Sequence, residues 1–478
     1  MSTKNKKFYI STSIPYTNAP PHIGFALEII QADVLARYHH SLGEDTFFLT
    51  GTDEHGLKTK RAAENTNKTP KEFADEISEK FRELKTALNL SNNDFIRTTD
   101  KKRHWPAVKK VWLKLKENGE IYKKNYRGFY CADCEAFVTK KDLIDEKCPI
   151  HQKKVELIEE ENYFFRLSKY SQKIKEIIEK DKIRIIPESR KNEILAIIRQ
   201  GLEDISFSRV KEKYLGIPVP NDPTQFLYIW PDALTNYISA IGYSENSERF
   251  KRYWPADVHC IGKDIVRFHA LIWPAILLSL NLELPKTIFV HGFITVDGQK
   301  MSKSLGNVID PFELVKKYGA DAIRYFLLRE IPPTEDGDFT YEKFEERYNA
   351  DLAKGVGNLV ARVLTMAEKV SSINYQPSKE KEIEKVINNA RKKYKKALDE
   401  FKFNEALIAI WDLISFSDKY IEKERPWEEK ENQKIVIGNL LFTISNIAEM
   451  LRPFLPETSE KIFKQLKTKK SKPLFPRI

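Results

Sequence analysis

The sequence predicts an α/β protein in which a parallel-sheet domain is interrupted by a cysteine-bearing insertion and followed by an all-α domain. Strand-like residues 8–14, helical spacing from His22 and a second strand at 46–50 form a βαβ unit, which implies a parallel sheet. Three of the four cysteines lie within residues 131–148. Glycine becomes rare after Tyr341, where helical patterns dominate.

Composition excludes several classes of protein. The chain has 478 residues, is 41% hydrophobic and 12% aromatic, and has 18 glycines, so it is neither disordered nor collagen-like. No apolar run approaches the roughly 20 residues of a membrane span, and the N-terminal segment lacks the apolar region of a signal peptide. We therefore expect a cytoplasmic protein without a membrane partner. The net charge of +11 is compatible with a polyanionic partner.

The strand signals are arranged in two blocks. The first strand stops at Pro15, the following helix should end near Gly43, and the second strand is residues 46–50. The sheet signal lapses over 115–224, and strands return at 226–230, 258–261 and 287–294. The predicted domains are the first half of the α/β domain (1–114), an insertion (115–224), the second half of the α/β domain (225–295), a lysine-rich loop with a connecting region (296–350) and a helical domain (351–478).

The first chemical motif is Pro21-His22-Ile23-Gly24, at a strand-to-helix junction. A helix N-terminus presents N–H groups and partial positive charge, which suit phosphate. Gly24 would let a nucleotide approach the backbone, and His22 could donate a hydrogen bond to a phosphoryl oxygen. Alone, such a motif is more often a helix cap.

The second motif is Lys300-Met301-Ser302-Lys303-Ser304, which follows the strand predicted at 287–294. Two lysines three positions apart, among small polar residues, suit a mobile cationic clamp on a triphosphate. For an isolated charge run a solvated loop is the alternative, but this pentapeptide is far more specific.

The third motif combines Cys131 and Cys134 with Cys148 and His151. The Cys-x₂-Cys and Cys-x₂-His spacings are typical of a tetrahedral structural zinc site. Four protein ligands leave no open position, so the predicted Zn²⁺ is structural. The alternative is a set of reduced surface thiols. Cys260 lies in an apolar strand and is predicted to be a core residue.

The first two motifs resemble the HIGH and KMSKS signatures of class I aminoacyl-tRNA synthetases, with Phe25 in place of the second histidine. The chain is too short for the editing insertion of the leucyl, isoleucyl and valyl enzymes. In the cysteinyl enzyme the zinc ligands would lie in the catalytic pocket. Segments 9–24, 50–57, 228–237 and 262–279 instead resemble the methionyl-tRNA synthetase family.

The resemblance implies a Rossmann-like catalytic domain with a zinc-binding insertion and a helical-bundle anticodon-binding domain. It implies that methionine and ATP form methionyl-adenylate and pyrophosphate, and that methionine then passes to the terminal ribose of initiator and elongator tRNA(Met). Catalysis would rest on His22, Lys300 and Lys303, with Mg²⁺ accompanying ATP. The absence of the appended dimerisation domain implies a monomer.

The family's binding residues map onto this sequence position by position. The methionine-binding positions are Ser13, Ile14, Tyr16, Asp53, Trp230, Ala233, Leu234, Tyr237, Ile265 and His269. The ATP-binding positions are His22, Gly24, Gly262, Asp264, Lys300 and Lys303. A thioether packs well against aromatic and aliphatic walls, and the Asp53 carboxylate suits the substrate ammonium group.

The helical domain is expected to bind the anticodon. Asn358 and Arg362 match the family's anticodon-reading helix, and Trp427 matches its stacking element, although a core tryptophan is the alternative. Residues 310–328 resemble the stem-contact region, and their Asp-Pro start predicts a capped helix.

Two other classes of protein stay open. Nucleotidylyltransferases share a His-x-Gly motif and a lysine loop, but they are usually far shorter and lack an anticodon-binding domain. A non-catalytic RNA-binding paralogue is disfavoured by intact His22, Asp53, Lys300 and Lys303. Methionine-dependent pyrophosphate exchange would discriminate among the three.

Overall fold

The computed structural model describes residues 6–131, 136–138, 143–149, 152–211, 214–302, 305–370, 381–428 and 430–478. The chain forms two units. Unit 1 comprises residues 1–21, 39–85 and 91–290, and unit 2 comprises 22–38, 86–90 and 291–478.

The β-strands are numbered along the chain. They are β1 (Lys7–Thr12), β2 (Asp45–Thr52), β3 (Asp94–Arg97), β4 (Ile121–Cys131), β5 (Ala136–Val138), β6 (Glu156–Phe165), β7 (Arg184–Ile186), β8 (Ile205–Ser206), β9 (Ser208–Val210), β10 (Pro218–Val219), β11 (Asp222–Leu227), β12 (Val258–Gly262), β13 (Thr287–His291), β14 (Ile294–Val296), β15 (Gln299–Lys300) and β16 (Gly337–Phe339).

The α-helices follow the same order. They are α1 (Ile23–Ser41), α2 (Gly56–Glu64), α3 (Pro70–Ala87), α4 (His104–Glu117), α5 (Ser171–Glu179), α6 (Glu188–Gln200), α7 (Ile229–Leu234), α8 (Asn236–Ser239), α9 (Glu248–Tyr253), α10 (Trp273–Ser279), α11 (Pro311–Tyr318), α12 (Ala320–Arg329), α13 (Tyr341–Arg347), α14 (Asn358–Glu368), α15 (Lys381–Asp399), α16 (Phe403–Glu424), α17 (Lys430–Leu451) and α18 (Pro456–Thr468). Two π-helical segments, Phe268–Ile272 and Tyr348–Gly357, precede α10 and α14.

Unit 1 is built on a parallel sheet with strand order β3-β2-β1-β12-β13-β7. Its four inner strands, β2, β1, β12 and β13, are buried over most of their length, with Tyr9, Phe48 and Phe289 among the core residues. Cys260 of β12 is also fully buried, as predicted. Gly51 of β2 has no room for a side chain because the carbonyl of Ile96 lies against its Cα.

Three strands end earlier than the sequence predicts, the first of them at Thr12 instead of residue 14. The strand expected at 226–230 ends at Leu227, and α7 begins at Ile229. Pro231 explains the change, because a residue without an N–H is tolerated in the first turn of a helix but not inside a sheet. The strand expected at 287–294 ends at His291, because Gly292 packs closely against the backbone of residue 335 and redirects the chain into β14.

The insertion contains more sheet than the sequence indicates. Strands β5, β4, β6 and β8 form an antiparallel sheet, and β10, β11 and β9 form a second one. In β6 exposed and buried residues alternate, and β4 contains a run of three exposed polar residues at 123–125, so the hydrophobicity of both strands is low. Cross-strand aromatic packing compensates, as Tyr126 and Phe164 have ring centroids 5.2 Å apart.

Unit 2 contains most of α1, a small sheet with order β15-β14-β16, and the helices from α11 to α18. The Asp310 side chain accepts a hydrogen bond from Phe312 N at 2.7 Å, and Pro311 is the first residue of α11, as the Asp-Pro pair predicts. Helices α15, α16, α17 and α18 pack together in sequence as a bundle.

One described helix has the length and apolar composition of a membrane span. It is the part of α17 from Asn432 to Leu451, and 72% of its most apolar window is buried inside the protein. Ile437, Leu441 and Ile444 are fully buried in this helix. Its apolar composition is therefore accounted for by packing within the bundle.

Candidate active site

Asp53 follows β2 and is fixed by an extension of the parallel sheet. Its carbonyl accepts a hydrogen bond from Thr17 N at 3.0 Å, and Tyr16 and Asp53 form an isolated parallel bridge. The carboxylate accepts from His55 N at 3.3 Å and from Thr98 Oγ1 at 3.4 Å. Asp53 is only 2% exposed. A buried carboxylate held in this way is suited to bind an ammonium group.

An aromatic wall lies next to this carboxylate. The Tyr16 ring meets the Trp230 ring edge-on with centroids 6.4 Å apart, and Phe268 stacks on Trp230 at 3.3 Å. Ala233 and Leu234 are buried on α7, the helix that carries Trp230. The sequence predicted all of these residues except Phe268. Only the adjacent position, His269, was predicted to bind methionine, and it could have indicated Phe268. The wall is apolar and flat, as a thioether side chain requires.

Tyr237 and His269 form a hydrogen-bonded pair beside the wall. His269 Nδ1 lies 3.0 Å from the carbonyl of Ile265, so Nδ1 carries the proton and Nε2 accepts at 2.7 Å from Tyr237 Oη. The π-helical turn at 268–272 sets the orientation of His269. Burial, together with His269, holds the pKa of His259 well below its usual value, and the neutral ring packs on Tyr237.

Of the other predicted methionine positions, Ser13 donates its backbone N–H to Cys260 O at 3.0 Å. Ile14 packs against the main core of unit 1. Gly262 ends β12, and Asp264 is exposed in the short 3₁₀ turn that follows. All predicted methionine positions thus lie in unit 1, together with these two ATP positions.

Three buried side chains behind the pocket form a network that no sequence pattern indicated. Asp232 of α7 is fully buried, and its carboxylate meets His55 Nδ1 at 2.6 Å and His104 Nε2 at 2.8 Å. His104 Nδ1 lies 2.8 Å from Ser239 Oγ. Burial alone would raise the pKa of Asp232, but the two histidines outweigh it and the pKa lies below its usual value. The network joins the loop of Asp53 to the helix of Trp230.

In unit 2, the first signature motif opens α1. Gly24 N donates to His22 Nδ1 at 3.1 Å, so Nδ1 is an acceptor and the proton of a neutral ring is on Nε2. His22 as a whole is exposed, yet nearby protein atoms disfavour its charged form and lower its pKa. A β-carbon at Gly24 would lie 2.8 Å from His22 Cε1. Glycine therefore leaves room for the imidazole to lie against the helix start.

The second signature motif lies in a loop that begins in β15. Asn307 holds the loop on both sides, because its Nδ2 donates to Lys300 O at 3.3 Å and its Oδ1 accepts from Ser302 N at 2.8 Å. Lys300 is exposed. Met301 Cε lies 3.6 Å from the β-carbon position at Gly24. Lys303 lies outside the described residues.

A contact between two buried polar side chains supports both motifs within unit 2. His291 Nε2, at the end of β13, lies 2.9 Å from Glu28 Oε2 on α1, and both side chains are buried. Ile23 N donates to Ile309 O at 3.1 Å, which holds the start of α1 against the chain that follows the lysine loop. The two motifs are therefore adjacent in this unit, although 278 positions separate His22 from Lys300 in the sequence.

Two of the four residues of the zinc motif, Cys131 and Cys148, lie within the described part of the structure. Cys131 ends β4 and Cys148 follows a tight turn, and each is only 1% exposed. In that turn Asp145 and Glu146 have positive φ angles and Ile144 and Lys147 exchange backbone hydrogen bonds. Cys134 and His151 lie outside the described residues. The described residues contain no metal-binding cluster of three ligands, as only two of the four predicted ligands are among them.

The predicted anticodon residues lie on the surface of unit 2. Asn358 begins α14 and is exposed, and Arg362 lies one turn later. Trp427 follows α16, is 53% exposed, and has Arg362 Cζ 5.8 Å from its ring centroid. The core alternative for Trp427 is therefore wrong. Arg362 Nη2 also pairs with Glu422 Oε1 at 2.6 Å.

The parallel sheet and the two signature motifs define a class I aminoacyl-tRNA synthetase. Comparison with known families agrees: the model described as tRNA synthetases class I (M) matches residues 8–149 and 134–364, and the anticodon-binding domain of tRNA ligase matches 380–476. The chain belongs to the methionyl-tRNA synthetase family within this class.

Individual relatives span nearly the whole chain. A methionine–tRNA ligase of Caldanaerobacter subterraneus is 47% identical over 476 residues, which cover 96% of this chain and 74% of the relative. One of Thermotoga maritima is 44% identical, with 96% and 75% covered. The solved structure of Mycobacterium tuberculosis methionyl-tRNA synthetase in complex with methionyl-adenylate is 37% identical, with a TM-score of 0.92 and 99% and 100% covered.

Proposed function

We propose that this chain is a methionine–tRNA ligase. It activates L-methionine with ATP to methionyl-adenylate and pyrophosphate, and then transfers methionine to the 3′-terminal ribose of initiator and elongator tRNA(Met) in the cytoplasm, where it serves translation. The observation that carries the proposal is the pocket of unit 1, where the Asp53 carboxylate and the Trp230 wall are joined through Tyr16.

Methionine binds with its ammonium group on Asp53 and its side chain along the wall of Tyr16, Trp230 and Ile265. The Tyr237 hydroxyl donates a hydrogen bond to His269 Nε2, so its oxygen retains lone pairs and acts as an acceptor near the thioether. Because a thioether cannot donate a hydrogen bond, the pocket relies on packing for specificity. Ser13, Ile14, Ala233 and Leu234 complete the methionine-binding set.

ATP activation requires stabilisation of negative charge rather than an enzyme nucleophile. In unit 2, neutral His22 offers its Nε2–H to a phosphoryl oxygen at the start of α1, next to Gly24. Lys300 and Lys303 neutralise the departing pyrophosphate. In unit 1, Gly262 allows close approach of the nucleotide and Asp264 binds the ribose hydroxyls. Mg²⁺ accompanies ATP and neutralises phosphate charge.

The helical part reads the anticodon. A base stacks on exposed Trp427, and Asn358 and Arg362 supply polar contacts from the adjacent face of α14. Cation–π contact with Arg362 restrains the ring before RNA binds.

The proposed functions are assigned to the predicted domains. These are the catalytic halves 1–114 and 225–295, the insertion 115–224, the loop and stem contact 296–350, and the anticodon domain 351–478. The monomeric state stays a prediction, which light scattering tests.

One structural Zn²⁺ completes the insertion. Cys131, Cys134, Cys148 and His151 would hold it, and the two described thiols fit that role because both are buried at the end of a strand or turn. When bound, the ion cross-links the two halves of the motif. The insertion is otherwise a small sheet with a modest core, which such a cross-link would stabilise.

Amino-acid-dependent pyrophosphate exchange tests the proposed activity. Labelled pyrophosphate should enter ATP with methionine and not with leucine, isoleucine or cysteine, and the protein should then charge tRNA(Met). Exchange without any amino acid would support a nucleotidylyltransferase. No exchange by a folded protein that binds tRNA(Met) would support a non-catalytic paralogue.

A further inference from the structure

The chain between residues 101 and 127 carries an unusual concentration of positive charge. It contains ten lysines and arginines and two glutamates, so its net charge is 10 − 2 = +8, compared with +11 for the whole chain. This segment covers the turn before α4, the helix itself and most of β4. None of its residues belongs to the methionine, ATP, zinc or anticodon positions described above. A local excess of this size attracts polyanions.

Four of these lysines are arranged around two aromatic rings. The Nζ atoms of Lys101 and Lys109 lie 5.2 and 5.6 Å from the centroid of Trp105. Those of Lys116 and Lys123 lie 6.0 and 5.0 Å from the centroid of Tyr163 on β6. We call Lys101, Lys109, Lys116 and Lys123 the basic ridge. The rings support the aliphatic stems and leave the ammonium groups at the surface.

Most of the basic ridge lacks internal charge compensation. In the part of the chain that the structure describes, no carboxylate lies within ion-pairing distance of Lys101, Lys109 or Lys116, and all three are exposed. Lys123 is the exception, with Asp222 at 2.9 Å. Elsewhere in unit 1, some lysines have helical partners, such as exposed Lys71 with Asp75 and half-buried Lys175 with Glu179. The three lysines are available to phosphate groups.

The basic ridge starts close to the methionine pocket. The Trp105 ring centroid lies 6.3 Å from that of His55, and Trp105 Nε1 donates to Thr98 O at 3.0 Å. Thr98 in turn donates its hydroxyl to Asp53 at 3.4 Å. The start of the basic ridge is therefore connected through Thr98 to Asp53, in the same unit as the pocket that the terminal ribose of a tRNA has to reach.

From these observations we propose that the basic ridge binds the phosphate backbone of the tRNA acceptor stem. This inference rests on the proposed ligase function, which requires the terminal ribose to reach the pocket of unit 1. A double-stranded stem presents evenly spaced phosphates and no exposed bases. Lysine side chains without hydrogen-bonding neighbours are sufficient to bind these phosphates, because only charge has to be matched. The contact would supply affinity and orientation, not sequence recognition.

The test uses a triple variant of the full-length protein, Lys101→Gln/Lys109→Gln/Lys116→Gln. Its KM for tRNA(Met) should rise roughly tenfold or more at 0.15 M salt, and the slope of log binding constant against log salt should fall by about three, one for each lost phosphate contact. Methionine-dependent pyrophosphate exchange, which needs no tRNA, should stay at the wild-type rate. Lys71→Gln/Lys80→Gln/Lys175→Gln is the matched control and should change none of these quantities.

Two RNA fragments separate the ridge from the anticodon surface. The triple variant should lose affinity for an acceptor-stem minihelix and keep it for an anticodon stem-loop. An unchanged salt slope and an unchanged minihelix affinity would overturn the proposal, as would equal losses for anionic lipid vesicles and the minihelix. A loss of exchange together with a lower Tm would also overturn it, because the lysines would then be structural. Failure of the wild-type protein to charge tRNA would refute the ligase function instead.

Discussion

Single residues in this protein act through neighbours that are distant in the sequence. Gly24 is required less for backbone freedom than for the space that it leaves to the His22 imidazole. Asp53 is held by Thr17, His55 and Thr98 from three different segments. A substitution outside the reacting groups can therefore reduce activity, because it moves the neighbouring residues that hold those groups in position.

The first prediction concerns Gly24→Ala. The new methyl group would lie 2.8 Å from His22 Cε1 and 3.0 Å from its Nδ1, so the imidazole has to move away from the phosphate-binding helix start. Loss of one preorganised donor costs about 2.7–4 kcal/mol in the barrier, or roughly 10²–10³ in rate. Pyrophosphate exchange should fall by that factor, while calorimetry should find the methionine Kd unchanged.

His22→Ala and the double variant are the controls for this prediction. If Gly24→Ala acts by displacing the imidazole, the double variant should be no slower than His22→Ala alone. Multiplicative losses would mean that Gly24 contributes separately, by its contact with the nucleotide.

The second prediction concerns Asp232→Asn. Removing the charge from a fully buried carboxylate weakens its hydrogen bonds with His55 and His104, and we expect the free energy of unfolding at pH 7 to fall by about 1.5–3 kcal/mol. The methionine KM should also rise, because the network joins the Asp53 loop to α7. Urea denaturation and steady-state kinetics measure the two effects.

The pH dependence of the stability difference between wild type and Asp232→Asn follows from the direction of the Asp232 pKa shift. The folded-state pKa of Asp232 lies below its usual value, so the ionised carboxylate stabilises the fold at pH values above the unfolded-state pKa of about 3.9. The stability difference between wild type and variant should shrink as the pH falls from about 3.9 through the folded-state pKa of Asp232. A difference that grows below pH 5 would contradict the assignment.

At the scale of elements, secondary structure departs from regular geometry where function is proposed. A π-helical turn carries His269, and a longer π-helical segment leads into α14 at Asn358. Such segments are often found at functional sites because they reorient side chains that a regular α-helix would place elsewhere. The insertion, in contrast, contains regular antiparallel sheets. We propose that cross-strand aromatic pairs and a metal ion stabilise it.

The third prediction concerns the metal. Elemental analysis of the purified protein should find one zinc per chain, and removal by a chelator should expose the thiols of Cys131 and Cys148, which are now buried. Structural zinc supplies on the order of 10 kcal/mol of local folding energy, so Cys148→Ser should lower the Tm. Cys260→Ser, in β12, is the matched control and should keep the zinc. Full thiol titration without metal loss would refute the site.

The fourth prediction concerns Trp427→Ala at the end of α16. Stacking of one base on an aromatic ring contributes roughly 1–3 kcal/mol, so aminoacylation efficiency should fall by about one to two orders of magnitude. Because Trp427 is 53% exposed, the Tm should hardly change, and pyrophosphate exchange should stay at the wild-type rate. An equal loss in both assays would remove Trp427 from the tRNA-binding surface.

At the scale of the whole molecule, the two units carry different chemistry. The predicted methionine positions lie in unit 1, whereas both signature motifs and the anticodon residues lie in unit 2. Within unit 2, Arg324 of α12 pairs with Asp33 of α1 at 2.7 Å, and both side chains are fully buried. Arg324 also donates to the carbonyls of Pro453 and Phe454. One guanidinium therefore connects the helix that begins at the first motif to the turn between α17 and α18.

The fifth prediction concerns Arg324→Met. Loss of the guanidinium leaves Arg37, at 2.8 Å, as the remaining ion-pair partner of buried Asp33, and it leaves three carbonyls without their donor, including Leu88 O. We expect unit 2 to lose about 3–5 kcal/mol of unfolding free energy, measured by urea denaturation. Lys317→Met, which breaks an exposed ion pair with Glu345, is the matched control and should leave the midpoint unchanged.

The sequence by itself determined the class of protein, the βαβ unit at its start and the helical character of its last part, and the family resemblance supplied the residues of the proposed site. Local signals were sufficient there, because a strand-to-helix junction, a lysine pentapeptide and a cysteine spacing are each encoded in a few consecutive residues. Only the tertiary structure decided which buried side chains meet. Asp232 is 177 positions from His55, and Arg324 is 291 from Asp33. No periodicity or motif links residues so far apart, because their contact depends on how the whole chain packs.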